Sequence, residues 1–151
     1  MKIAGFGRRI INALKNEDRV AATPMEELSN HGDETSDMRP ATLIITSDPY
    51  IVSDLYGEML LIKLGMKSDL EEYPMHHFKI LDRSFGSSII DKEILATGEA
   101  VDYKHERRRI VAVIIDTLVP EVLGCALSFR GLGIKVAYSP RVEAVVNLIK
   151  S

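Results

Sequence analysis

Residues Ile110 to Gly124 read IVAVIIDTLVPEVLG, a run of apolar, largely β-branched residues that stops at a carboxylate, Asp116, and is followed by Pro120 and Gly124. β-branched side chains suit the pleated backbone, and an apolar run without alternation suits a strand covered on both faces, as in a parallel sheet. Such a strand carries one acid to its C-terminal end, where open α/β sheets place their ligands. The stretch therefore predicts both a fold class and a location for function.

Outward from it, strands and helices alternate. Thr42 to Thr46 (TLIIT) is a short β-branched run, and Ser47-Asp48-Pro49 supplies a capping residue and a proline suited to a first helical turn. Val52, Leu55, Tyr56, Met59, Leu60 and Ile62 or Lys63 recur at steps of three and four, predicting one helix from Pro49 to Leu64 that Gly65 stops. His77 to Leu81 is read as a strand and Phe85-Gly86-Ser87-Ser88 as a turn. Asp91 to Ala100 reads as a helix or as one arm of a hairpin around Gly98. Pro120 to Phe129 is a predicted helix, Ile134 to Tyr138 a strand, and Pro140 to Ile149 a closing helix. Gly131-Leu132-Gly133 precedes a strand, so it is a helix stop rather than a phosphate loop. The alternation predicts an α/β fold, a three-layer αβα sandwich with a mainly parallel, flavodoxin-like sheet and right-handed crossovers.

The first forty residues differ in character. Residues 1–15 carry Lys2, Arg8, Arg9 and Lys15 without an acid, and Ile3, Phe6, Ile10, Ile11 and Leu14 fall at helical spacing. This is a basic amphipathic helix, suited to peripheral contact with an anionic membrane, to a partner's groove, or to packing on the domain itself. Residues 16–40 hold seven acids against Arg19 and Arg39, the composition of a tether, with a capping box at Thr23-Pro24-Met25-Glu26. The expected organisation is thus a helix and acidic tether over 1–40 and a single α/β domain over 41–151.

Composition narrows the function classes. At 151 residues, 46% hydrophobic and 27% charged, the chain is long enough for one folded domain with one core. A net charge of -3 argues against general nucleic-acid binding. A single cysteine, Cys125, excludes an intrachain disulfide and fits a reducing compartment, and no apolar run is long enough to span a bilayer, so a cytoplasmic location is expected.

Two segments resemble the response-regulator receiver domains. LIITSDPYIVSDLYGEMLLIKLGM (43–66) is similar to a receiver's first strand and helix, and Asp116, Pro120 and Gly124 resemble the phospho-acceptor strand and loop, with proline four and glycine eight residues after the acceptor. Ser139, ending the strand Ile134 to Tyr138, matches the small hydroxyl residue that senses the phosphoryl group. The resemblance implies a signalling or protein-interaction module, a phosphoryl or ligand site at Asp116, Asp48, Ser139 and the adjacent Thr117, and Mg²⁺ held by Asp48 and Asp116. The sequence departs from the pattern. Thr46-Ser47-Asp48 offers one acid where receivers carry a pair to bind Mg²⁺, and no lysine on a further strand follows Ser139. An atypical receiver that binds a protein partner is the expectation, with phosphorylation of Asp116 and homo-oligomerisation left open.

Each residue also has a structural reading. Asp48 and Ser139 precede prolines and suit helix caps, and Asp116 can accept backbone N–H groups. His76 and His77 are adjacent and so face opposite sides of a strand, unlike a metal pair. Cys125 reads as a small buried residue, and Glu106-Arg107-Arg108-Arg109 as a solvated flank. Two other function classes compete: a small enzyme or binding protein for a phosphorylated or nucleotide ligand at the strand ends, and an assembly module acting through the N-terminal helix. No base or nucleophile with a supporting group stands out, so the balance leans away from an enzyme.

Overall fold

The computed structural model describes residues 38–66, 72–85, 89–102 and 104–150. The predicted helix over 1–15, the tether down to its last three residues, and most of the turn at 85–88 lie outside them. Among the described residues the chain runs β1 (Arg39–Thr46), α1 (Pro49–Asp54), α2 (Gly57–Lys63), β2 (His77–Leu81), a 3-10 turn (Asp82–Ser84) and α3 (Ile89–Thr97). It continues through β3 (Glu99–Val101), β4 (Arg107–Asp116), α4 (Pro120–Leu123), α5 (Ala126–Gly131), β5 (Lys135–Tyr138) and α6 (Pro140–Lys150).

The five strands form one mostly parallel sheet with β4 and β1 at its centre. β2 and β4 flank β1 in parallel, and the far edge of β4 is shared: β3 runs antiparallel along its first residues and β5 parallel along its last. β1 and β4 end level, with Thr46 beside Asp116. One extra residue, Val111, bulges from β4 between the pairs Ala41–Ile110 and Thr42–Ala112, so Ile110 and Val113 point to the same face although three residues apart.

Because side chains alternate along a strand, the apolar runs of β1 and β4 feed both faces. Leu43, Ile45, Val113 and Ile115 meet Ile94 of α3, Val122 and Leu123 of α4, Phe129 of α5, and Val142 and Val146 of α6. Ile44, Ala112 and Ile114 meet Ile51 of α1, Leu60 and Leu61 of α2, Leu64 and Tyr73. The apolar interior is therefore two clusters divided by the sheet, where one core was expected. Full burial of each Leu or Ile here contributes about 1.5–3 kcal/mol, which is what fixes the strand ends that carry the polar residues.

Four boundaries differ from the sequence reading. The helix expected over Pro49–Leu64 breaks at Leu55 and Tyr56, both extended, and restarts at Gly57 with φ +63. On one straight helix Ile51 and Leu60 would lie roughly 180° apart. The break lets both face the sheet, and the Leu55 carbonyl it frees accepts from Lys79 Nζ. Tyr56, Met59 and Ile62, expected on the inward stripe, are exposed. The helix expected over Pro120–Phe129 likewise divides at Gly124 and Cys125. Residues 89–101 hold both alternatives weighed for them, a helix and then a hairpin strand. The arginine run lies within β4 rather than before it: Glu106 and Arg107 are exposed as expected of a solvated run, but Arg107 pairs with Glu93 and Glu99, and the half-buried Arg108 meets the buried Asp102 through Nε at 3.0 Å. β1 also starts at Arg39, inside the expected tether.

Candidate functional site

Four parallel strands bring their C-terminal ends to one edge of the sheet, and the polar residues that end them are bonded to each other. Asp116 closes β4 with 1% of its surface exposed. A carboxylate taken that far from water must be compensated, because desolvation of an unpaired charge costs several kcal/mol. The compensation comes from the two neighbouring strands.

From β1, Thr46 Oγ1 donates to Asp116 Oδ2 at 2.6 Å, and from the end of β5, Ser139 Oγ donates to Oδ1 at 2.5 Å. Arg141, in the first turn of α6, adds a fork: Nε to Oδ1 and Nη2 to Oδ2, both 2.8 Å, while Nη2 also reaches the Asp116 carbonyl at 3.3 Å. Each carboxylate oxygen thus accepts two hydrogen bonds, which uses its in-plane lone pairs. The hydrogen bonds to Asp116 hold the Arg141 guanidinium above its ordinary pKa, and the charges of Asp116 and Asp48 add to the effect. A cation in a helix's first turn works against the helix dipole, so Asp116 also offsets an unfavourable placement.

Asp48 joins this group through the backbone. Its N–H donates to Thr46 Oγ1 at 3.0 Å, so the threonine hydroxyl relays between Asp48 and Asp116, and its own carboxylate caps α1 by accepting from Tyr50 N at 3.0 Å. The Ser47 N–H approaches the Asp116 carbonyl at 3.4 Å. Ser139 begins α6 with its carbonyl, which accepts from Val142 and Glu143, while its hydroxyl is spent on Asp116 rather than on a cap.

Of the four residues singled out in the sequence, the fold brings Asp48, Asp116 and Ser139 together and turns Thr117 elsewhere. Thr117 Oγ1 donates to Asp82 Oδ2 at 2.7 Å, tying the end of β4 to the turn after β2. Thr46, Asp82 and Arg141 were not singled out. Thr46 had a signal, since it ends the other central strand as Asp116 ends β4. Arg141 had a weaker one, a basic residue at the start of a helix.

A search of protein-family models, of curated proteins and of solved structures finds no match to this chain. Among the described residues, no group of three or more His, Cys, Asp or Glu side chains is gathered as a metal site. A hard dication needs carboxylate oxygens with lone pairs to give, and both oxygens of Asp116 are already engaged by hydroxyls and guanidinium, so the arrangement as built does not fit Mg²⁺. A groove of about 420 Å³ lies between the end of α2 and the start of α6, lined by Gly65, Tyr73, Arg130, Tyr138, Pro140 and Glu143. None of the four candidate residues lines it. Likewise, none of the described helices is long and apolar enough to cross a membrane.

The opposite edge of the sheet carries a second polar group. Asp102 accepts from the backbone of Lys104 and Glu106 and from Arg108, which shapes the turn between β3 and β4. His76 Nε2 lies 3.8 Å from the same carboxylate, while the ring nitrogens of His77 are buried without a hydrogen-bond partner among the described residues. The two histidines are thus in separate environments. Cys125 Sγ sits 3.2 Å from the Glu121 carbonyl one helical turn back.

Proposed function

We propose that this chain is a receiver-like signalling module that acts in the cytoplasm by binding a protein partner, and that Asp116 is not phosphorylated. One observation carries the reading: the carboxylate at the acceptor position is buried and fully engaged by Thr46, Ser139 and Arg141, leaving no lone pair to attack a phosphoryl donor or hold Mg²⁺.

The strand arrangement supports the receiver-like part. With the short antiparallel β3 set aside, the order β2-β1-β4-β5 follows the first four places of the flavodoxin-like order, and Asp116 ends its central strand. α1 and α2 pack on one face and α3 to α6 on the other, as a three-layer sandwich requires. Thr46-Ser47-Asp48 and Ser139 end the strands on either side of Asp116, in the places the resemblance assigns them. Fold likeness alone carries no activity, so the lean away from an enzyme rests on the site. Among the described residues Thr46, Ser139 and Arg141 all donate to the Asp116 carboxylate, so the carboxylate is engaged as an acceptor and is not free to serve as a base or nucleophile.

The test is addition of Mg²⁺ and beryllofluoride to the full chain, followed by backbone amide shifts. The expected result is no shift at Ser47, Asp116 or Thr117. A saturable shift in the wild type that Asp116→Asn removes would establish a phospho-acceptor and overturn the proposal.

A further inference from the structure

We infer that Arg141 is a resident counter-cation, a side chain that takes the place a divalent metal would hold on Asp116 and keeps the strand-end site permanently assembled. The inference rests on the receiver-like reading and goes further: it assigns the exclusion of metal to one residue.

Three observations carry it. The guanidinium meets both oxygens of Asp116 in a planar fork at 2.8 Å, the bidentate geometry that arginine offers and lysine does not. The pairing is one-sided in burial, with 59% of the Arg141 side chain exposed against 2% for Asp116, so the charge enters from the solvent side, along the route an ion would take. A second acid stands in the same site: the Asp48 N–H donates to Thr46 Oγ1, which donates in turn to Asp116, so the carboxylate that caps α1 follows the end of β1 beside the pair. A divalent ion would do the same three things: neutralise a buried carboxylate, approach from solvent, and draw on a second acid. Because the cation is covalently part of α6, its effective concentration does not depend on the solution.

Removing the guanidinium should therefore open Asp116 to a metal. Manganese is the probe, since it takes oxygen ligands as Mg²⁺ does and broadens the amide signals of residues near it. With equimolar Mn²⁺ added to the full chain, wild type keeps its amide signals at Thr46, Ser47, Asp48, Asp116 and Thr117. Arg141→Ala loses them, and Arg141→Lys, which retains the charge, keeps them. Arg141→Ala with Asp116→Asn keeps them as well. Arg141→Gln, closer in size to arginine, carries the same expectation as Arg141→Ala and serves if the alanine variant does not fold.

Loss of those signals in wild type, or their retention in a folded Arg141→Ala or Arg141→Gln protein, overturns the inference. The two proposals fail separately. A beryllofluoride response in wild type defeats the reading given above that Asp116 is not phosphorylated, and this inference with it. A wild type inert to beryllofluoride, together with a neutral variant that ignores Mn²⁺, defeats this inference alone.

Discussion

Arg141 and Asp116 are joined across the gap between α6 and β4 by two parallel hydrogen bonds of 2.8 Å, one partner largely exposed and the other almost wholly buried. The asymmetry decides what each contributes. An exposed ion pair is worth about 0–1 kcal/mol, whereas a buried charge stripped of its partner costs about 3–5 kcal/mol. Water can replace much of what Arg141 gives, but nothing can replace Asp116, on which three side chains converge.

Asp116→Asn should accordingly cost roughly 2–4 kcal/mol of unfolding free energy. The amide must turn its NH₂ toward Thr46 and Arg141 or toward Ser139 and Arg141, placing donor against donor on either side. Arg141→Ala should cost less, about 1–3 kcal/mol, because solvent reaches the vacated side. Urea unfolding of both variants checks the order. An Arg141→Ala loss equal to or larger than that of Asp116→Asn would show that the carboxylate is not the keystone.

Thr46→Val keeps the shape of the side chain and removes the relay, leaving the Asp48 N–H without its acceptor and Asp116 one donor short. A loss of about 1–2 kcal/mol is expected, with Thr46→Ser close to wild type. In the Asp116→Asn background the Thr46→Val loss should shrink by at least ~0.5 kcal/mol, since residues in one network are not additive. Full additivity would mean that the 2.6 Å contact carries no energy.

The central strands were legible because a parallel strand covered on both faces leaves an unmistakable apolar run, and Asp116 was legible because it ends one. What escaped was pairing across distance. Thr46 and Asp116 are 70 residues apart and become neighbours through strand register, which no local pattern encodes. Arg141 was passed over because a basic residue after Ser139-Pro140 looks like an ordinary surface position until the turn folds onto β4. Periodicity misled at α1 and α2 for a related reason. The stripe through Val52, Leu55, Tyr56 and Met59 presumes one unbroken helix, whereas Gly57 and Lys79 on β2 accommodate a break that a helical wheel does not contain.

Gly65 offers a test of how tightly α2 is coupled to the site. Its φ is +78, and a Cβ there would stand 3.1 Å from Pro140 Cγ, next to Arg141, whereas Gly57, at φ +63, has Met75 Sδ at a comfortable 3.8 Å. Both substitutions by alanine incur the left-handed penalty of roughly 1–2 kcal/mol, but Gly65→Ala also pushes on the first residue of α6. Gly65→Ala should therefore destabilise more than Gly57→Ala and should move the amide signals of Ser139 and Arg141. Equal losses, with those signals unmoved, would separate α2 from the site.

His77 makes stability depend on pH. Burial first, then the charges of His76 and Lys79, lower its pKa from 6.5 to about 4, and its ring nitrogens have no hydrogen-bond partner among the described residues. The folded protein therefore refuses a proton that the unfolded chain accepts below pH 6.5. Stability should fall as pH drops from about 6.5 toward about 4 and gain nothing from this group above that window. His77→Leu removes the titration, so thermal midpoints measured across the window should show a shallower slope than wild type. Some slope remains in the variant, because burial and Arg108 also lower the pKa of His76. An unchanged slope in His77→Leu would mean that the ring is solvated, or finds a partner, in the folded chain.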